Sequence, residues 1–156
     1  MKARLLMAFV CLLTLTATLA LANTAQNKVN LLLKGWVTRG GETLASDRVE
    51  GKPGETITWS LTAVNDTDSA VKNFVATLPV DKKTEYVAGS ASAQASLEFS
   101  LDGGMTWAAR PMIRQRGPDG QDHLVEAPVS LYTNLRFTYS TLPTGQTTAN
   151  YQVRIK

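Results

Sequence analysis

The chain has 156 residues, 16 Lys and Arg against 13 Asp and Glu, one His and one Cys. That length suits one domain, and a lone cysteine excludes both a disulfide framework within the chain and a Cys-ligated metal site. The formal charge of +3 is too small to argue for nucleic acid, which demands a strong positive field.

The N-terminus reads as a secretory signal. Lys2 and Arg4 precede the uncharged stretch Leu5 to Ala22, which closes on Ala20-Leu21-Ala22. A basic start, an apolar middle and a small-x-small exit are the three parts such a signal needs. Cleavage is expected after Ala22, making residues 1–22 the signal and 23–156 the mature domain. The competing reading is an uncleaved anchor, since 18 uncharged residues approach the roughly 20 needed to span a bilayer. Thr14, Thr16, Ala17 and Thr18 dilute that run, so no membrane span is expected after cleavage. Cys11 has Val10 before it and few residues upstream, which argues against lipidation. Taking 22 residues from 156 leaves 134, with 14 basic and 13 acidic side chains and no thiol. Nucleic-acid binding and thiol redox chemistry are therefore not expected. The expected location is outside the cytoplasm: periplasmic, bound in the cell envelope or extracellular.

Val29 to Val37 is almost continuously apolar through Leu31-Leu32-Leu33, which suggests a strand covered on both faces or paired at an edge. In the run Thr56 to Ala63, Ile57, Trp59, Leu61 and Ala63 fall on one face, with Thr and Ser on the other. That is a half-buried strand, and its β-branched residues suit one. Phe74, Ala76 and Leu78 alternate similarly until Pro79, which has no N–H for a ladder. Leu97, Phe99 and Leu101 form the next alternation. After it, Asp102-Gly103-Gly104 predicts a hairpin returning over Met105 to Ala108. Ala91–Ser96 and Arg114–Ala127 read as loops. Leu135, Phe137 and Tyr139, then Tyr151, Val153 and Ile155, complete the pattern. Turn residues at Gly40-Gly41, Pro53-Gly54, Asn65-Asp66 and Pro143-Thr144-Gly145 punctuate these runs. The expectation is an all-β fold: an Ig-like antiparallel β-sandwich of about seven to nine strands.

Several motifs occur in an order that resembles a known family. They are Pro53-Gly54-Glu55-Thr56-Ile57-Thr58-Trp59, Val64-Asn65-Asp66, Ala76-Thr77-Leu78-Pro79 and Glu85-Tyr86-Val87-Ala88-Gly89-Ser90. Phe99 to Trp107 and Leu135 to Gln146 continue the series. Over roughly residues 51–156 the chain resembles the bacterial and archaeal "domain of unknown function eleven" conserved-repeat family of Ig-like envelope domains. The resemblance implies a secreted or surface sandwich, often in tandem arrays. This chain carries a single copy, which puts a tandem stalk in doubt, and the family supplies no catalytic residues.

Candidate sites are sparse. His123, the only histidine, lies near Asp119 and Asp122 and could nominally be a general base, which a hydrolase would need, but no G-x-S-x-G nucleophile motif occurs. A solvated loop histidine is the simpler reading. Asn65, Asp66 and Asp68, or Asp119 and Asp122, could offer oxygens to Ca²⁺, yet no D-x-[DN]-x-[DN]-G loop is present and Asn and Asp also build turns. Neither a metal nor a cofactor is expected. Trp59 belongs to the core by its alternation. Trp36 and Trp107 are candidate binding residues for polysaccharide. Arg110, Arg114 and Arg116 form the densest basic patch, without acids nearby in sequence, and could touch an anionic or acidic partner. Asn65-Asp66-Thr67 is also a glycosylation sequon, coinciding with the expected turn.

The sequence thus predicts a non-catalytic exported protein acting by protein–protein contact or assembly with other envelope or surface proteins. Self-assembly through edge strands is included, with Val29–Val37 and the terminal Thr148–Lys156 as the candidate edges. Polysaccharide binding is the alternative.

Overall fold

Alternating side chains and glycine-rich reversals organise residues 29–156, which the structure, a computed structural model, describes. The expected signal, its cleavage point and Cys11 lie outside those residues. The described chain forms β1 (Val29–Arg39), β2 (Glu42–Ala45), β3 (Thr56–Asn65), β4 (Val71–Pro79) and β5 (Thr84–Tyr86). These are followed by β6 (Ser96–Ser100), β7 (Met112–Arg116), β8 (Asp122–Glu126), β9 (Asn134–Leu142) and β10 (Gly145–Ile155). A 3-10 turn, Val129–Leu131, precedes β9. Among the described residues no helix is long and apolar enough to cross a membrane.

Two antiparallel sheets form the sandwich. One has five strands in the order β2-β1-β3-β10-β5, the other three in the order β4-β9-β6, and β7 and β8 make a separate ribbon. The fold is the all-β sandwich that the period-2 alternation predicts. The ten strands exceed the expected count partly because Arg114–Ala127 is not a loop. Met112–Arg116 and Asp122–Glu126 pair across a Gly117–Gln121 turn. Its few apolar positions (Ile113, Leu124, Val125) gave too weak a pattern to announce a strand pair.

The core is built from the inward halves of the alternations. Leu61 and Ala63 of β3, and Ala149, Tyr151 and Val153 of β10, meet Phe74, Ala76 and Leu78 of β4 and Leu135, Phe137 and Tyr139 of β9. Phe137 and Leu135 are fully buried, and the Phe137 and Tyr151 rings lie 6.4 Å apart across the sandwich. The alternation breaks once, on two strands together. Lys72 and Asn73 both face out on β4, as do Ser140 and Thr141 opposite them on β9, while Val71, Phe74, Tyr139 and Leu142 stay buried. Asn73 absorbs the kink at φ +51°, a conformation Asn tolerates better than most side chains.

Two expectations need correction. The Asp102-Gly103-Gly104 reversal occurs, but its return is no strand: a single bridge, Phe99 with Ala108, closes it. Asp102 holds the turn by accepting hydrogen bonds from the Ser100 hydroxyl and the Met105 and Thr106 N–H groups. A bond from the Thr106 hydroxyl, followed by the Thr106 N–H and the Ser100 hydroxyl, keeps its carboxyl well below the usual range. The terminal strand, moreover, is no edge. β10 runs between β3, which it pairs from Gly145 to Arg154, and β5, and Ser92 bridges it at Asn150. Its N–H and C=O groups are largely committed inside the sheet, so it has little to offer a neighbour.

Candidate functional site

The other candidate edge strand, β1, is open. It pairs with β3 along nearly its whole length, Val29 opposite Asn65 through Val37 opposite Ile57. On its other side β2 covers only Trp36 to Arg39. The Gly40-Gly41 reversal, with both residues at positive φ, makes a two-residue hairpin suited to the strand twist. Ser46 then closes the ladder, its N–H donating to the Gly35 carbonyl at 2.8 Å. Because successive residues of a strand turn their polar groups to opposite edges, the N–H and C=O of Leu33 and Leu31 face the same side as that carbonyl. No strand covers that side from Val29 to Lys34 among the described residues.

Leu31, Leu32 and Leu33 are 50%, 49% and 41% exposed. Leu31 and Leu33 lie opposite the buried Ala63 and Leu61, so they point to the core side of the sheet, and Leu32 points away from it. The three-stranded sheet therefore stops short of β1. A long apolar edge with unpaired backbone groups is the feature that most β proteins cover or charge.

At the end of this edge lies a cleft of about 710 Å³. Trp36 lines it from the outer face and Trp59 from the inner one, with Lys34, Ser46, Asp47 and Arg48 closing the far wall. Gly35 makes this arrangement possible. A Cβ there would stand about 2.6 Å from the Trp59 ring and 2.5 Å from the Ser46 hydroxyl, so the indole rests directly on the strand backbone. Trp59 is half-buried against the core and open to the cleft, which alternation alone did not reveal. The loop behind the cleft is tied down by Arg39. Its guanidinium meets the Glu55 carboxylate in two bonds of 2.6 and 2.8 Å, holding that carboxyl down to about 2 with help from the Lys52 N–H.

The other candidates disperse. Trp107 lies on the outer face of the three-stranded sheet. Its Nε1–H donates to the Gly104 carbonyl, and the Arg136 guanidinium, itself paired with Glu98, stands 4.5 Å above its ring. One indole face is thus occupied. The arginines are not free of acids. Glu126 lies 2.6 Å from Arg110, and Asp122 sits opposite Arg116 in the β7–β8 register. The hairpin folds the following acids back across the ladder, a pairing that sequence separation hides. Arg114 faces Leu124 on the same ribbon.

His123 accepts or donates only to Asp119 among the described residues, at 2.9 Å, and both are half exposed. His123, followed by the Gln121 N–H, keeps the Asp119 carboxyl below its ordinary value. No hydroxyl hydrogen-bonds to this pair among the described residues, so a nucleophile is not assembled there. Asn65 is buried, its amide donating to Ser69 and Pro143 carbonyls and its oxygen accepting from Thr67. It ties the β3–β4 turn to the β9–β10 turn. No group of three or more His, Cys, Asp or Glu able to hold a metal occurs among the described residues.

A third surface gains meaning only from the register. Thr58, Ser60 and Thr62 of β3 stand beside Gln152, Asn150 and Thr148 of β10 on the outer face of the five-stranded sheet. Gln152 donates to Thr58 at 3.2 Å, and Trp36 borders the row through its pairing with Thr58. Comparison of the chain with protein-family models, curated proteins and solved structures finds no match.

Proposed function

We propose that this protein is exported and acts without catalysis, by binding another polypeptide in the cell envelope along the open edge of β1. The observation that carries the reading is the Leu31-Leu32-Leu33 edge, which no strand covers among the described residues, with its half-exposed leucines. Strand addition draws its affinity from main-chain hydrogen bonds and its selectivity from alternate side chains. The Trp36–Trp59 cleft at the end of the edge offers a seat for one larger side chain. Export rests on the Lys2 to Ala22 pattern, and the Ig-like envelope reading rests on motif order. N-terminal sequencing of protein recovered outside the cytoplasm tests export, with Asn23 the expected first residue.

The binding reading is tested by comparing the wild-type chain with Leu31→Lys/Leu33→Lys in cross-linking to envelope extracts, with cross-linked chains identified by mass spectrometry. A specific cross-linked chain, mapped to β1 and lost in the double variant, supports it. Equal cross-linking by a variant with an unchanged circular dichroism spectrum rejects it.

A second reading, binding of a neutral polysaccharide, is favoured by the row of hydroxyls and amides from Thr58 to Gln152 beside Trp36. Uncharged donors and acceptors beside an aromatic ring suit a sugar. Glycan-array binding that disappears in Trp36→Ala supports it, and an empty array counts against it.

A further inference from the structure

From the groove beside β10, we infer that the protein holds a neutral oligosaccharide there, lying along the strand between Asn150 and Gln146. The inference rests on the second reading, polysaccharide binding, and gives the sugar a seat and a charge class.

The groove follows from where β10 loses its neighbour. β5 covers Val153 to Ile155, and Ser92 exchanges two main-chain hydrogen bonds with Asn150, at 2.8 and 2.9 Å. Successive residues of a strand turn their polar groups to opposite edges. Thr148 and Gln146 therefore present their N–H and C=O on the same side as Asn150, where no strand covers them among the described residues. The chain runs on from Ser92 through Ala93 and Gln94 instead, leaving a cleft of about 480 Å³ against β10, with Pro143 at its end. Two residues are too few for an added strand, which gains its hold from a series of main-chain bonds. The volume lies in the range of small-molecule sites.

The lining selects the ligand. Ser92, Gln94, Gln146, Thr147, Thr148 and Asn150 supply its polar side chains, and only Ala93 and Pro143 are apolar. Three are amides, each with donors and an acceptor on one planar group, and three are hydroxyls, which both donate and accept. Neighbouring hydroxyls on a sugar ring call for that mixture. Among the described residues none of these six side chains hydrogen-bonds within the protein. The amides of Asn65 and Gln152, by contrast, are used internally.

No Asp, Glu, Lys or Arg lines the groove, although 19% of the chain is charged. The Trp36–Trp59 cleft carries Lys34, Asp47 and Arg48, and the cleft beside Tyr86 carries Glu126. A charged ligand finds no counter-ion beside β10, and an apolar one finds little surface to bury against. An uncharged polyhydroxyl compound fits. Asn150 to Gln146 spans about 13 Å at roughly 3.3 Å per residue, room for a few sugar units. Thr148 and Asn150 also belong to the outer-face rows, beside Thr62 and Ser60 of β3, so a longer chain continues from the groove onto uncharged sheet.

Surface plasmon resonance over immobilised dextran, amylose, mannan and β-1,3-glucan, with alginate as the anionic counterpart, tests the inference. At least one neutral polymer is expected to retain the purified protein. Gln94→Ala/Gln146→Ala, at two exposed positions, is expected to weaken that binding by at least about fivefold, and Asn150→Ala by about threefold. Thr77→Ala, exposed on β4 of the other sheet, is expected to bind as the wild type does. Circular dichroism checks that each variant is folded. Neutral-polymer binding that is unchanged in both groove variants overturns the inference. If Trp36→Ala then abolishes it, the polysaccharide reading stands without this seat. Binding to alginate alone overturns the neutral class, and if no polymer binds, the polysaccharide reading falls together with the groove.

Discussion

The two flanks of the sandwich receive opposite treatment. On the β5–β6 side Tyr86, Phe99 and Tyr132 stack, with Phe99 4.5 Å from Tyr132 and 5.0 Å from Tyr86, and all three rings are buried. Ala108 caps β6 through the Phe99 bridge, and a smaller cleft of about 430 Å³ remains beside the rings. On the β1 side three leucines stay about half exposed beside an uncovered edge. The difference is one of coverage rather than of apolar content. Aromatic rings large enough to reach across the gap between sheets seal one flank, and the other lacks both the rings and the strand above. Apolar packing is therefore concentrated on the closed flank, while among the described residues the open flank keeps apolar side chains half exposed.

The sharpest way to break that comparison is to truncate one residue on each side. Phe99→Ala is expected to cost about 3–5 kcal/mol by removing a ring packed against two others. Leu32→Ala is expected to change stability by less than about 0.5 kcal/mol. Urea unfolding measures both, and equal losses would show that the open flank contributes to the core after all. Gly35→Ala comes next. Its Cβ must displace Trp59 or Ser46, so a loss of about 1–3 kcal/mol is expected. A changed tryptophan emission is expected with it, as Trp59 leaves the strand.

Smaller effects come from titration. Burial raises the Tyr151 phenol from 10.0 to about 12. The unfolded chain then ionises this tyrosine first, so the stability it contributes is intact below about pH 10 and is lost as pH rises towards 12. Alkaline unfolding followed by tyrosinate absorbance checks the order, and Tyr151→Phe is expected to reduce the slope. The Glu55 carboxyl moves the other way, from 4.5 to about 2. Its contribution is present above about pH 4.5 and lost as pH falls towards 2. The pair is partly solvated, so the change is expected to be the smallest of the four. Glu55→Gln is expected to flatten thermal midpoints over that range, and an unaltered pH profile would mean the Arg39 clamp adds nothing to the open flank's loop.

Much of the scaffold was legible in single strands. The alternations at Ile57 to Ala63, Phe74 to Leu78 and Leu135 to Tyr139 identify inward faces because burial has a period of two. Weakly apolar Met112–Arg116 escaped this logic, and so did the paired kink at Asn73 and Ser140, where two outward residues in a row mimic a loop. At the candidate site, the apolar run from Leu31 to Leu33 fitted either a strand covered on both faces or one at an edge, and Trp36, a candidate from the sequence, lines the cleft beside it. The opening of Trp59 to the cleft was not legible, because it depends on Gly35 of the neighbouring strand and on the Ser46–Arg48 segment lining the same cleft. Nor was the neutralisation of Arg110 by Glu126, which needs the hairpin to bring them together.

By itself, then, the sequence determined that the chain is a thiol-poor, near-neutral all-β protein, which residues turn inward, and where it reverses. Those properties are local, set by side-chain period and by the φ that glycine, proline and asparagine permit. Only the tertiary structure decided which strand is an edge. Val29–Val37 and Thr148–Lys156 were equal candidates, yet β10 is enclosed by β3 and β5 while β1 is left half covered. Strand neighbours are chosen by pairings across the whole chain, and no local pattern encodes them.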